Sequence, residues 1–213
     1  GGGGGAAATA AAPSLSSVGT VLLGTFVGGP AVPGNGLTVV VYDLQGHQLG
    51  SAKVSDTGTF RVSIGDYLGG IVAKLWDSNS ASDFLDESTA TAKNVGNAFV
   101  FLAVDEVTQR NATLTLNING ATTLAAVKAG LSAVDGGGQI AGADAAAQLA
   151  TIASVNTMVS RLLGMSGSMP QLAVEPTIKT NGTSGNYTDD QEGQGEWNLD
   201  SQSIVGAAGG AVG

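Results

Sequence analysis

Thr59-Phe60-Arg61-Val62-Ser63-Ile64 alternates without exception between polar and apolar side chains. A β-strand turns successive side chains to opposite faces, so the segment presents Phe60, Val62 and Ile64 to one side and Thr59, Arg61 and Ser63 to the other. One face is buried and the other is wet. Turn signals bracket it: Asp56-Thr57-Gly58 precedes it, and before that turn runs Gln48 to Ser55, itself reached through Gln45-Gly46-His47. Further back, Leu37-Thr38-Val39-Val40-Val41-Tyr42-Asp43 is rich in the β-branched and aromatic residues that suit a pleated surface. Gly28-Gly29-Pro30 and Pro33-Gly34-Asn35-Gly36 separate it from an earlier apolar stretch, Thr20 to Val27.

The pattern continues toward the C-terminus. Gly70 to Trp76 and Ala98 to Val104 read as strands, and Ala112 to Ile118 alternates again, with Leu114, Leu116 and Ile118 inward. Short strands broken by regularly spaced turns predict a mainly-β fold with some α: an Ig-like or transthyretin-like antiparallel β-sandwich over residues 18–119, and not a βαβ arrangement.

After Asn119-Gly120 the composition changes to helix formers. Thr123 to Leu131 predicts one helix, Asp135 to Gly138 a break, and Ala143 to Leu163 a second helix. In the second, Leu149, Ile152, Val155, Val159, Leu162 and Leu163 recur at three- and four-residue spacing, a stripe that needs the first helix or the sandwich as its partner. Gly164 after Arg161-Leu162-Leu163 fits a basic last turn and a glycine stop. The chain thus divides into a Gly/Ala-rich tether (1–17), the sandwich (18–119), a two-helix element (120–165) and an extended Gly-rich, polar tail (166–213).

Composition narrows the function. Only 12% of the 213 residues are charged, about half the share of an ordinary domain, and Gly, Ala, Ser, Thr and Asn take their place. Such a surface is suited to being covered. A net charge of −9 argues against a nucleic-acid partner, whose phosphates demand cations. There is no cysteine, so neither disulfides nor thiolate metal ligands are available. No apolar run is long enough to span a bilayer, and the sequence opens without Met or a signal region, as a processed product or a fragment would.

Chemistry-bearing patterns are sparse. His47, the single histidine, falls in a hairpin turn with no second His or Cys to complete a zinc site. No Gly-x-Ser-x-Gly elbow is present, and Gly136-Gly137-Gly138 joins two helices, unlike a phosphate loop. Asp77, Asp83, Asp86 and Glu87 share one loop and are the candidates for Ca²⁺, although they lack the Asp-x-Asp-x-Asp-Gly spacing. No cofactor is expected. Lys74 interrupts the apolar strand Ile71-Val72-Ala73-Lys74-Leu75-Trp76, where it either points from a wet face or cross-links to an Asn or Asp.

The segment Val21 to Ile64, with Gly24, the Pro33-Gly34-Asn35-Gly36 turn, Gly46 and Asp56-Thr57-Gly58-Thr59-Phe60, resembles carboxypeptidase-regulatory-like (transthyretin-like) β-sandwich domains. Leu116-Asn117-Ile118-Asn119-Gly120-Ala121-Thr122-Thr123-Leu124-Ala125, and Ala153 to Met165, resemble the junction and helix that follow such sandwiches in large bacterial surface lipoproteins and adhesins. Gly120-Ala121 departs from the Pro-Leu pair of that junction. The resemblance implies an extracellular, cell-surface protein, with a lipid anchor to the outer membrane at a Cys before Gly1.

These readings combine into one expectation. The chain is a non-enzymatic structural subunit of a bacterial surface filament or fibre, a homo-polymer joined through strand edges and termini. The subunit contacts would be Gly1, Gly2, Gly3, Gly4, Gly5 and Ala6 in the tether, and Tyr187, Trp197, Ile204 and Val205 in the tail, which also carries the acidic cluster Asp189-Asp190-Glu192. The alternative is an adhesin module whose loops bind glycan or extracellular matrix, with Tyr67, Trp76 and Trp197 as the aromatic candidates.

Overall fold

The computed structural model describes residues 19–27, 36–77, 101–131 and 145–174, together with two short strand pairs. In chain order the strands are β1 (Thr20–Val27), β2 (Leu37–Asp43), β3 (Gln48–Lys53), β4 (Thr59–Gly65), β5 (Gly69–Asp77), β6 (Phe84–Leu85), β7 (Ala92–Lys93), β8 (Leu102–Val107), β9 (Thr113–Thr115) and β10 (Ile118–Asn119). Helices α1 (Gly120–Lys128) and α2 (Ala145–Leu162), a 3₁₀ turn (Met169–Gln171), and the paired β11 (Ile178–Lys179) and β12 (Gln191–Glu192) follow.

Among the described residues the fold is mainly β with α: two four-stranded sheets, two short strand pairs and two helices. One sheet runs β3-β2-β5-β8, antiparallel throughout. In the other, β1 pairs antiparallel with β4 on one side and with β9 and then β10 on the other. Both of the latter pairings are parallel, with Leu22 opposite Leu114 and Phe26 opposite Ile118, so the expected all-antiparallel arrangement is corrected to a mixed one. The reason is connectivity. The chain leaves β8 on the far sheet and re-enters beside β1 running in the same direction, which no tight hairpin could achieve.

Phe60, Val62 and Ile64 of β4 are buried and the residues between them exposed, as the alternation predicts. They share a core with Leu22 and Phe26 of β1, Val39 and Val41 of β2, Ile71, Ala73 and Leu75 of β5, and Leu116 and Ile118. Phe26 and Phe101 meet edge to face across this core, their ring centroids 4.9 Å apart. Two glycines set the closest approaches. A Cβ on Gly24 would strike the Leu116 carbonyl, and one on Gly50 the Ser63 carbonyl, so β3 closes directly onto β4 along one side.

The helices do not form a separate unit. Ala121, Ala125, Ala126 and Ala129 in and just after α1, and Ile152, Val155 and Val159 of α2, pack with Val72, Leu102 and Val104, which point away from the first core. Strands β5 and β8 are therefore buried on both faces, as the near-continuous apolar runs Ile71–Leu75 and Phe101–Val104 permit. Lys74 has no wet face to occupy: it lies in β5 opposite Val40 and Leu102 and is only 8% exposed.

Element ends moved for local reasons. α1 begins at Gly120, before the expected Thr123, because Asn119 caps it: Asn119 Oδ1 accepts from Thr122 N (2.9 Å) and Thr122 Oγ1 accepts from Asn119 N (2.8 Å). β8 extends to Val107, past the expected Val104; residues 98–100 lie outside the described part. α2 stops as expected, with Gly164 at φ +72° and Met165 N returning to Ser160 O at 2.8 Å.

Candidate functional site

The outer edge of β8 is where a further strand could add, since residues 102 and 104 aim their backbone groups away from β5. That edge is occupied from within the chain. Thr123 Oγ1 accepts from Leu102 N (3.0 Å), Thr122 Oγ1 donates to Leu102 O (2.7 Å) and Asn156 Nδ2 donates to Val104 O (2.8 Å). Three side chains from the two helices thus stand where a neighbouring strand would. The Asn119-Gly120-Ala121-Thr122-Thr123 junction caps a helix and plugs a sheet edge together.

On the other side of this junction, Asn117 ties the 3₁₀ turn to the first sheet. Its Oδ1 accepts from Thr25 N (3.0 Å), its Nδ2 donates to Leu172 O (3.0 Å), and its backbone N donates to Pro170 O (2.7 Å). The polar groups here are incompletely matched: Asp105 Oδ2, Asn119 Nδ2 and Asn156 Oδ1 are buried and make no hydrogen bond. Asp105 is 7% exposed, and burial pushes its carboxyl above the ordinary range, opposed by Glu106 N–H and the Gln171 side chain.

Helix α2 supplies the opposite kind of surface. Ile152, Val155, Asn156, Val159 and Ser160 face inward at helical spacing. The face turned away carries Ala153, Ser154, Met158, Arg161 and Leu162 around an open, mainly apolar hollow, and Arg161 is the one charge in the helix. Leu162 is 68% exposed and Met158 40%. Leu162 therefore leaves the inward stripe expected of it, because residue 163 takes the position that completes the 152–155–159 face.

Among the sequence candidates, His47 is exposed and its Nδ1 lies 3.0 Å from Asp43 Oδ2, a turn contact. For Asp77 only the backbone, at the end of β5, is described. Asp83, Asp86, Glu87, Gly1 to Gly5, Ala6, Tyr187, Trp197, Ile204 and Val205 lie outside the described residues. Among the described residues no group of His, Asp or Glu could hold a metal ion, and no helix is long and apolar enough to cross a membrane. The sequence reading missed the Thr122, Thr123 and Asn156 plug, although polar residues on an otherwise apolar helix face were its signal.

The class defined so far is a two-sheet, mainly-β module with a helical layer on one sheet. No family model matches the chain. It is similar to Sedolisin of Pseudomonas sp. (strain 101), at 72% identity over 36 residues, 17% of this chain and 6% of that protein. The chain thus spans a small fraction of that relative's length.

Proposed function

We propose that the chain is a non-enzymatic, extracellular structural module of the bacterial cell surface, an Ig-like or transthyretin-like sandwich whose helical layer mediates contact between copies. The observation that carries this reading is the outward face of α2. A solvent-facing helix surface is ordinarily charged; here Met158 and Leu162 stand exposed among small residues. A second copy suits it, because the single cation Arg161 would meet a chain carrying 17 acidic against 8 basic residues. Strand addition at β8 is the less favoured route to assembly, since that edge is already filled.

Sedimentation of the purified chain over a wide concentration range tests this. Reversible association that Met158→Glu and Leu162→Glu abolish, with melting unchanged, supports it. A monomer at every concentration ends it.

A further inference from the structure

We propose that the cleft between the β2–β3 turn, the β4–β5 turn and the first half of α2 binds one neutral sugar residue. The cleft has a volume of about 290 Å³, at the small end for ligand sites and suited to a single ring. It lies apart from Met158 and Leu162, so it stands or falls independently of self-association.

Its walls are fixed before any ligand arrives. The β2–β3 turn is closed by Asp43 N to His47 O (2.9 Å) and Gly46 N to Asp43 O (3.2 Å). The Tyr67 ring folds back over the backbone: a Cβ on Gly69 would lie 2.9 Å from Tyr67 Oη, and Oη donates to Gly70 O at 2.7 Å. Gly69 and Gly70 add no side chain to the floor, while Leu44 and Leu149 give it an apolar lining for the ring's C–H face.

The polar groups have a definite character. Because the Tyr67 hydroxyl proton is committed to Gly70, the oxygen faces a ligand as an acceptor. Asp43 Oδ1 accepts from Gln45 N (2.8 Å) and His47 N (2.9 Å), and Oδ2 accepts from the His47 ring at 3.0 Å. A carboxylate offers about four lone-pair positions, so Oδ2 retains one. Burial acts to raise the Asp43 carboxyl, but the hydrogen bonds from His47 and Gln45 together hold it below the ordinary range and keep it ionised. Burial and that same charge raise the Tyr67 phenol and keep it protonated. Gln45 and Gln148 contribute amides at the rim. The ionised Asp43 repels anions and, with the Tyr67 oxygen, calls for a donor-rich partner, while the Leu44 and Leu149 side chains favour a ring with a C–H face over a compact, strongly hydrated cation. A hydroxyl-rich ring meets each demand.

Backbone-amide NMR of the full chain, titrated with methyl β-D-glucopyranoside, methyl β-D-galactopyranoside and sodium glucuronate, tests the assignment. Saturable shifts at Gln45, Gly69, Gly70 and Gln148 with a neutral glycoside, and none with glucuronate, are expected. Tyr67→Phe keeps the ring and loses the acceptor, and should weaken binding about tenfold; Gln148→Ala, on a helix surface, should do likewise without altering the melt. The proposal is overturned by an absence of saturable shifts at about 20 mM glycoside, well above the millimolar constants so small a ligand supports. Equal binding of glucuronate, or binding indifferent to both variants, overturns it too.

Discussion

Asn156, on α2, donates from Nδ2 to the carbonyl oxygen of Val104 at 2.8 Å, so a helix side chain completes a strand edge 52 positions earlier in the chain. A buried carbonyl without a partner costs about 1–3 kcal/mol. Asn156→Ala should therefore lower stability by about that amount, plus a smaller contribution from lost packing, measured by urea denaturation. Thr123→Val, which strips the acceptor from Leu102 N, should cost a similar amount and accelerate hydrogen exchange at Leu102. If both variants unfold like the wild type, the helices do not guard β8.

Asp105 gives a prediction of unusual sign. Its folded carboxyl is raised above the value of 3.8 that it has in the open chain, burial being the main cause. The native state therefore binds the proton more firmly than the unfolded state. Between 3.8 and the raised value, stability falls as pH rises, and at neutral pH the buried carboxylate is a net cost. Asp105→Asn should be more stable than wild type at pH 7, with the advantage shrinking as pH drops through that window. A variant less stable than wild type at pH 7 would show that the charge is held by partners strong enough to offset its burial.

The strand pattern was open to reading because its cause is local. β1, β2 and β4 follow from alternation and β-branched content, and their ends from Gly and Asp-Thr-Gly signals. The parallel pairing of β9 and β10 with β1 was not, since register and direction depend on where the chain returns after β8. Lys74 misled for a related reason: a charged residue in an apolar run suggests a wet face, and only the tertiary structure shows that helices cover that side of the sheet. The α2 stripe disclosed the inward face, whereas the outward face, with Arg161 as its one charge, drew notice only once Met158 and Leu162 were seen to be uncovered. Tyr67 was open to reading as an aromatic candidate for glycan, but the cleft around it was not, because Gln45, Tyr67 and Gln148 come from three separate elements.

The Asp43 turn should show the opposite pH behaviour to Asp105. Burial pushes its carboxyl up, but the His47 and Gln45 N–H groups and the His47 ring outweigh that and lower it from 3.8. The folded state thus prefers the ionised form, its contribution is present above 3.8, and it is lost as pH falls through the depressed value. Asp43→Ala should cost about 1 kcal/mol at pH 7 and almost nothing at strongly acid pH, by thermal melts across the range. A penalty that persists undiminished in acid would mean that shape, and not charge, holds the turn.

Gly24 and Gly65 separate two reasons for a glycine. Gly24 lies in the middle of β1 with ordinary extended backbone, but its missing Cβ is where the Leu116 carbonyl passes, a backbone atom that cannot swing aside. Gly65 has φ +72° at the end of β4 and open space around it. Gly24→Ala must therefore separate β1 from the chain leading into β10, at about 3 kcal/mol or more, whereas Gly65→Ala meets only left-handed strain of about 1–2 kcal/mol. Urea midpoints of the two variants measure the difference. Equal losses would mean that β1 can shift as a body and that the close contact at Leu116 does not fix the spacing of the first sheet. A much larger loss at Gly24 would mean that the Leu116 carbonyl, packed where a Cβ would stand, fixes the spacing between β1 and the chain that leads into β10.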